Sequence, residues 1–265
     1  MFKSRSNRKK IVSSIKRFFI KAERTVWMIC LIGFIPFLAQ SQNISKKKVL
    51  IFSKTMDYRH ESTEVSIEAI KTLCAQNDIN TEATENSEWF NSQKLKEYDA
   101  ILFLNSSGDV FNREQEVAFE NYIRSGGGFV GIHGASTTEY EWEWFGKMIG
   151  AYFNGHPEPQ EAVVIVNDTT HLSTKHLPKK WKRFDEWYNF RWVDEDFNML
   201  LSLDESTYNG GGHKDNHPIA WYKPYDGGRM FYTALGHDKE SYSEQHFLNH
   251  VLGGILYAID NPAKE

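Results

Sequence analysis

Five of the ten histidines, His60, His133, His156, His217 and His237, stand where an apolar run ends or a polar loop begins. Imidazoles titrate near neutral pH and are the commonest transition-metal ligands. A fold that gathered several of them would therefore hold proton-transfer or metal chemistry. His133 is the most constrained of the five, because it sits at the centre of Gly131-Ile132-His133-Gly134-Ala135 directly after an apolar run. Glycines flank a central residue in this way where a strand turns sharply, leaving no room for neighbouring side chains and straining the central backbone. Enzymes that use such an elbow for acyl transfer place Ser or Cys at its centre. A histidine there can shuttle a proton, donate a hydrogen bond or bind a metal, but it is a poor acyl acceptor. The nearest hydroxyl, Ser136, comes three residues later. Amidase or esterase chemistry is therefore not expected at this turn, and a covalent hydrolase would have to use Ser136.

Two chemistries stay open. One is general acid/base work by His133 and His237 beside a carboxylate, for which Asp185, Glu186 and Glu240 are the candidates. The other is a divalent metal such as zinc, which His133, His156 and His237 with a carboxylate would suit. Neither an H-E-x-x-H motif nor paired cysteines mark such a site, and each histidine could instead cap a strand or satisfy a core hydrogen bond. Aromatic residues add a clue to the ligand. Trp142, Trp144, Trp181, Trp187, Tyr188 and Trp192 stand near acidic and amide side chains in "EYEWEWFGKMIGAYF" and "WKRFDEWYNFRW". Flat rings beside Asp, Glu and Asn suit a sugar, although most of these aromatics, and any single Trp taken alone, read first as core residues. Asp185 and Glu186 are adjacent and so point in different directions on a regular element. Their spacing does not support the paired carboxylates of a glycosidase.

The elements that would position these residues follow an alternating rhythm. "KKVLIFSKT" and "YDAILFLNSSGD" are continuous apolar runs of the kind buried on both faces of a parallel sheet. Between them Val65, Ile67, Ala69, Ile70 and Leu73 recur at helical spacing. Asn112 with Gln115 forms a capping box for a second helix that glycines stop. "FVGIHGAS" is a third strand and turn. Strand and helix in alternation predict a doubly wound α/β domain with a mostly parallel sheet, whose sites lie at the carboxyl ends of the strands. Further on, "EWEWFGKMIGAYF" reads as a helix and "EAVVIVND" as a strand. "HPIAWYKPYDGGRMFYTALGHD" reads as a hairpin turning at Asp-Gly-Gly, and the last helix as one started by Ser243.

Residues 1–41 differ from the rest. Nine Lys and Arg stand against one acid, Glu23, followed by an apolar run of about 14 residues from Val26 to Ala39. This predicts a signal peptide over 1–41, a short linker over 42–46, one domain over 47–260, and export to the periplasm or medium if the source is bacterial. A membrane contact is expected only if the segment stays uncleaved. Beyond residue 41 there are 22 Lys and Arg against 34 Asp and Glu, a net charge of −12. Such a surface repels phosphate backbones, so nucleic acid is not an expected partner. Cys74, the one cysteine in this part, lies on an apolar helical phase and reads as a small core residue. Aromatic content of 14% is compatible with a homo-oligomer.

The stretches "KTMDYRHES", "GGGFVGIHGASTTEYEWEWFGKMIGAYFNGHP", "DEWYNF", "DNHPIAW", "YDGGRMFYTALGHDKESYSE" and "FLNHVLGGILYA" resemble, in this order, the ThuA-like family, named for trehalose utilisation. The likeness runs from about Lys47 to Ala258. It implies a flavodoxin-like three-layer sandwich similar to the class I glutamine amidotransferases, and a role in carbohydrate metabolism where disaccharides are oxidised to 3-keto sugars. Set against the amidotransferases, His133 stands at the nucleophile's position, His237 at that of the catalytic histidine, and Glu240 near a triad carboxylate. The resemblance thus implies the pocket without the glutaminase chemistry. The expectation is a protein that acts on a small carbohydrate such as a 3-keto-glycoside, as a lyase, hydrolase or isomerase. His133, His237, Glu240, Asp185 and Glu186 are its candidate catalytic groups, and Tyr58, Arg59, His60, Trp187, His156 and His217 its candidate sugar contacts. The alternative is a non-catalytic sugar-binding module.

Overall fold

The computed structural model describes residues 46–260, so the expected signal peptide over 1–41 and the linker up to residue 45 lie outside the described residues. Thirteen strands are present among them: β1 (Lys48–Phe52), β2 (Asn80–Thr84), β3 (Ala100–Leu104), β4 (Ser107–Gly108), β5 (Gly128–Ile132), β6 (Thr137–Thr138), β7 (Ala151–Phe153), β8 (Gln160–Val166), β9 (Lys180–Asp185), β10 (Phe190–Trp192), β11 (Asn198–Asp204), β12 (Pro218–Tyr225) and β13 (Gly228–Thr233). The helices are α1 (Thr63–Ala75), α2 (Arg113–Arg124), α3 (Glu143–Ile149) and α4 (Gln245–Ile259). None of these is long and apolar enough to cross a membrane.

Nine strands form one sheet in the order β2-β1-β3-β5-β13-β12-β11-β8-β9. Pairing is parallel as far as β13 and antiparallel beyond it. The fold is therefore α/β with a mixed sheet, and the expected parallel part is its first half. Every residue of β3 and β5 is buried, which requires cover on both faces. Phe103 of β3 and Phe129 of β5 meet Phe119 of α2 and Phe145 of α3, with ring centroids 5.8–6.0 Å apart. Phe231 of β13, in register with Val130 rather than Phe129, faces the other way onto α4. In the antiparallel half, β9 alternates exposed and buried residues along "KWKRFD", the mark of a sheet with one wet face.

Local signals account for much of this. Asn112 and Gln115 form the expected reciprocal capping box. Asp226 (φ 47°) and Gly227 (φ 96°) join β12 to β13, with Tyr225 paired to Gly228, which is the two-residue turn that matches strand twist. Two expectations change. α3 stops at Gly150 (φ 93°), so "AYF" becomes β7, paired with β10. Ser243 ends a 3₁₀ turn and donates to the Glu240 carbonyl, and α4 begins at Gln245.

Helix α4 makes two testable contributions. A Cβ added to Gly253 would lie 2.3 Å from the Cα and N of Ser173, backbone atoms that cannot rotate away. In a free helix Gly→Ala gains about 1 kcal/mol. Here Gly253→Ala is expected to destabilise by about 1–3 kcal/mol through overpacking, read as a lower midpoint in urea. His250 is fully buried, its Nδ1 donates to the Ser173 carbonyl at 2.9 Å, and burial pushes its pKa down to about 3. The unfolded chain takes up this proton near pH 6.5, so its stabilising effect is present above that value and is lost as pH falls towards 3. At pH 5 the loss from this residue is about 2 kcal/mol. His250→Gln should flatten the fall in stability between pH 7 and pH 5, whatever its effect on absolute stability.

Candidate functional site

Strand β5 delivers His133 into a 3₁₀ turn over His133–Ser136, and His133 itself has φ 50°, the left-handed conformation expected of an elbow residue. Space explains the following glycine. A Cβ on Gly134 would stand 3.1 Å from Asn105 Cα and 3.2 Å from the Ser106 carbonyl. The imidazole is completely buried, and its Nδ1 donates to the Ala234 carbonyl at 2.6 Å. This fixes the tautomer and leaves Nε2 facing Tyr188, His237 and Glu186. The Tyr188 hydroxyl donates to it at 2.8 Å. Ser136 is buried, and its hydroxyl is engaged by Tyr232 at 2.8 Å; it does not line the cavity described below.

His237 follows β13, as its sequence position required, and the backbone turn before it is tied down by Asp185. That carboxylate, fully buried at the end of β9, accepts from the backbone N–H of Gly236 and His237 at 3.1 Å each and of Glu186 at 2.9 Å. It is also paired with the buried Arg183 at 2.9 Å. Asp185 therefore positions the loop, and its neighbour Glu186 points into the site. Glu186 Oε2 is 3.3 Å from both His133 Nε2 and His237 Nδ1, and its Oε1 is 3.1 Å from His156 Nε2. Burial works to raise the Glu186 pKa, but the surrounding imidazoles outweigh it and hold the carboxyl well below the usual range. His237 shows the reciprocal effect: burial opposes its charge, Glu186 favours it more, and its pKa is raised.

His60, from the loop between β1 and α1, completes the group. Its ring meets His133 edge-on with centroids 4.6 Å apart. One donor atom each from His60, His133, Glu186 and His237 lies within 4.8 Å of the others. His60 is 5% exposed and its Nδ1 has no hydrogen-bond partner among the described residues. Burial, then the nearby His133 and His237, push its pKa down to about 2.

Glu186, His60 and Tyr188 line a cavity of about 490 Å³ together with Tyr58, Tyr140, Phe153 and His156, and with Asp57, Ser107 and Thr137 as further polar groups. The volume suits a small molecule. Of the expected residues, His133, His237 and Glu186 come together, with His60 and His156 beside them and Tyr58 at the rim. His156 reaches the group through Glu186, and His60 occupies the place among potential metal ligands that was expected of His156. The remaining expectations fall elsewhere. Trp187 is 1% exposed and donates to the Gln160 carbonyl as a core residue. Arg59 is tied to Glu64 and Glu85 on the surface. Glu240 is exposed and does not line this cavity; it lines a neighbouring depression together with His237, Tyr58, Glu61 and Lys239. His217 lies one layer below, its Nε2 donating to the Tyr188 carbonyl and its Nδ1 2.8 Å from Glu205. Sequence reasoning missed Tyr140, Phe153 and Asp57, whose one signal was proximity to the "EYEWEW", "GAYFNGH" and "TMDYRH" stretches.

Relatives with known structures share this architecture. A ThuA-like protein from Bacteroides uniformis is 26% identical, with a TM-score of 0.68 over 83% of this chain and 96% of that one. A second, from Parabacteroides merdae, is 21% identical with a TM-score of 0.70 over 81% and 90%. A β-galactosidase from Rahnella is 13% identical with a TM-score of 0.52, matching 82% of this chain but 32% of its own length, a likeness of fold alone. No curated protein matches by sequence. The model of the ThuA family, described as trehalose utilisation, matches residues 48–258, and with nearly the whole described region accounted for, the chain belongs to that family.

Proposed function

We propose that the protein is a carbohydrate-active enzyme whose cavity takes a keto-glycoside with the ring ketone against the histidine–Glu186 floor. One observation carries the reading: Glu186, which lines a cavity walled by Tyr58, Tyr140, Phe153 and Tyr188, has His133 and His237 converging on it at 3.3 Å from behind the cavity wall. Rings of this kind cover the apolar faces of a sugar, and Asp57, Ser107, Thr137 and His156 offer partners to its hydroxyls. Hydrogens beside a ketone are acidic enough for a positioned base to remove. The floor supplies that chemistry either through His133 and His237 as proton carriers or through a cation that they hold. Glutaminase chemistry does not fit, because the elbow presents an imidazole. We also infer that the parallel half keeps the flavodoxin-like three-layer arrangement of the amidotransferases; its support is that α2 and α4 pack on opposite faces of β3, β5 and β13.

The test is incubation of the purified protein with a panel of glycosides and 3-keto-glycosides. Turnover of a keto-glycoside is expected, falling by about 10³-fold in His133→Ala while the variant still unfolds cooperatively. Sugar binding with no turnover of any member would overturn the enzymatic reading in favour of a sugar-binding module.

A further inference from the structure

We infer that the cluster centred on Glu186, at the inner wall of the cavity, is a divalent transition-metal centre whose protein ligands are His133 Nε2, His237 Nδ1 and Glu186 Oε2. The inference rests on the cavity being the working site and adds what that site holds. Its basis is a triangle. The His133 Nε2 to His237 Nδ1, His133 Nε2 to Glu186 Oε2 and His237 Nδ1 to Glu186 Oε2 separations are each 3.3 Å. A tetrahedral ion bound at about 2.0–2.1 Å holds its ligand atoms about 3.3–3.4 Å apart. Charge-assisted hydrogen bonds between the same groups would close to about 2.7–2.9 Å. Three equal separations at the longer value fit the edges of a coordination polyhedron better than a hydrogen-bonded cluster.

The surroundings are those of a ligand set. His133 is oriented by the Ala234 carbonyl at 2.6 Å, and Glu186 by His156 through its other oxygen. Asp185 fixes the backbone of both Glu186 and His237. Outer partners of this kind hold metal ligands in place and tune them. His60 is the independent sign, a histidine 5% exposed whose Nδ1 has no partner and whose ring lies against His133 and His237. It stands within reach of a fourth position. The Tyr188 hydroxyl, at 2.8 Å from His133 Nε2, would give up that lone pair to the cation and remain beside it. Two imidazoles and one carboxylate with a position left over is a catalytic rather than a structural donor set. A cation there would polarise a ketone oxygen.

The test uses the full-length chain stripped with a chelator and titrated with Co²⁺, followed by Zn²⁺ in competition. Expected is one equivalent of bound Co²⁺ with the intense visible absorption of a tetrahedral site, displaced by Zn²⁺. His133→Ala, His237→Ala and the nearly isosteric Glu186→Gln should each weaken binding by at least about 100-fold, with His176→Ala unchanged as a histidine control. Glu186→Gln keeps the test valid if the alanine variants fail to fold. Substoichiometric binding, or binding that survives all three substitutions, overturns the centre. A stripped protein that turns over a keto-glycoside at the full rate also overturns it while leaving the cavity reading in place. Stoichiometric, variant-sensitive binding without turnover of any sugar upholds the centre and overturns the carbohydrate reading.

Discussion

Asp185→Ala is expected to lower folding stability by about 3–5 kcal/mol and to disorganise the site at the same time, read by urea denaturation and by Co²⁺ titration of the folded fraction. The carboxylate is fully buried and serves four donors: the Arg183 guanidinium and the backbone N–H groups of Glu186, Gly236 and His237. Its removal leaves a buried guanidinium without that partner, although Glu244 stays 3.3 Å from it and the Trp181 and Phe247 rings lie against it. It also releases the turn that carries His237. Arg183→Met should cost less, because Asp185 would keep its three backbone donors. The Arg183→Met/Asp185→Ala double variant should recover only part of the loss. Full recovery would mean that the ion pair alone was at stake and that the backbone bonds to the His237 loop contribute little.

Asp185 also shows why sequence alone could not sort the candidate carboxylates. Adjacent residues at the end of a strand point to opposite sides, but which side faces the cavity depends on how β9 is placed in the sheet, a relation of long range. The elbow was different. Gly131, His133 and Gly134 declare a strained turn locally, and His133 indeed has φ 50°. The buried runs of β1, β3 and β5, the Asn112 capping box and the Asp226-Gly227 turn were legible for the same reason: each is fixed by neighbours in the chain. β2 was not legible, because "NTEAT" is a partly exposed edge strand that owes its conformation to pairing with β1. β9 carries a two-residue alternation in "KWKRFD" that could have been read as a strand. Its tryptophan and charges drew a sugar-binding reading instead, yet Trp181 is 4% exposed. His60 rather than His156 stands with His133, His237 and Glu186, and since both sit on loops, distance from a strand end in sequence says little about distance from this cluster.

Glu186→Gln should cut turnover of the keto-glycoside by about 10²–10³-fold, the usual cost of removing a preorganised charge from a buried site, with a much smaller effect on stability. Glu186 is the hub of the floor, touching His133 and His237 through one oxygen and His156 through the other. Glutamine keeps the volume and one acceptor but lacks the negative charge that faces the imidazoles, and its NH₂ cannot ligate a cation. On the proposed reading the charge acts at the reacting ketone and the ring and hydroxyl contacts hold the sugar, so the loss should fall mainly on kcat, with KM changing severalfold at most. His156→Ala reaches the floor through Glu186 and should cost about tenfold. A pattern in which Glu186→Gln raises KM and leaves kcat intact would show Glu186 as a sugar contact and move the chemistry elsewhere in the cavity. The reversed order, with His156→Ala the more damaging, would make His156 the principal proton carrier and reduce Glu186 to its support.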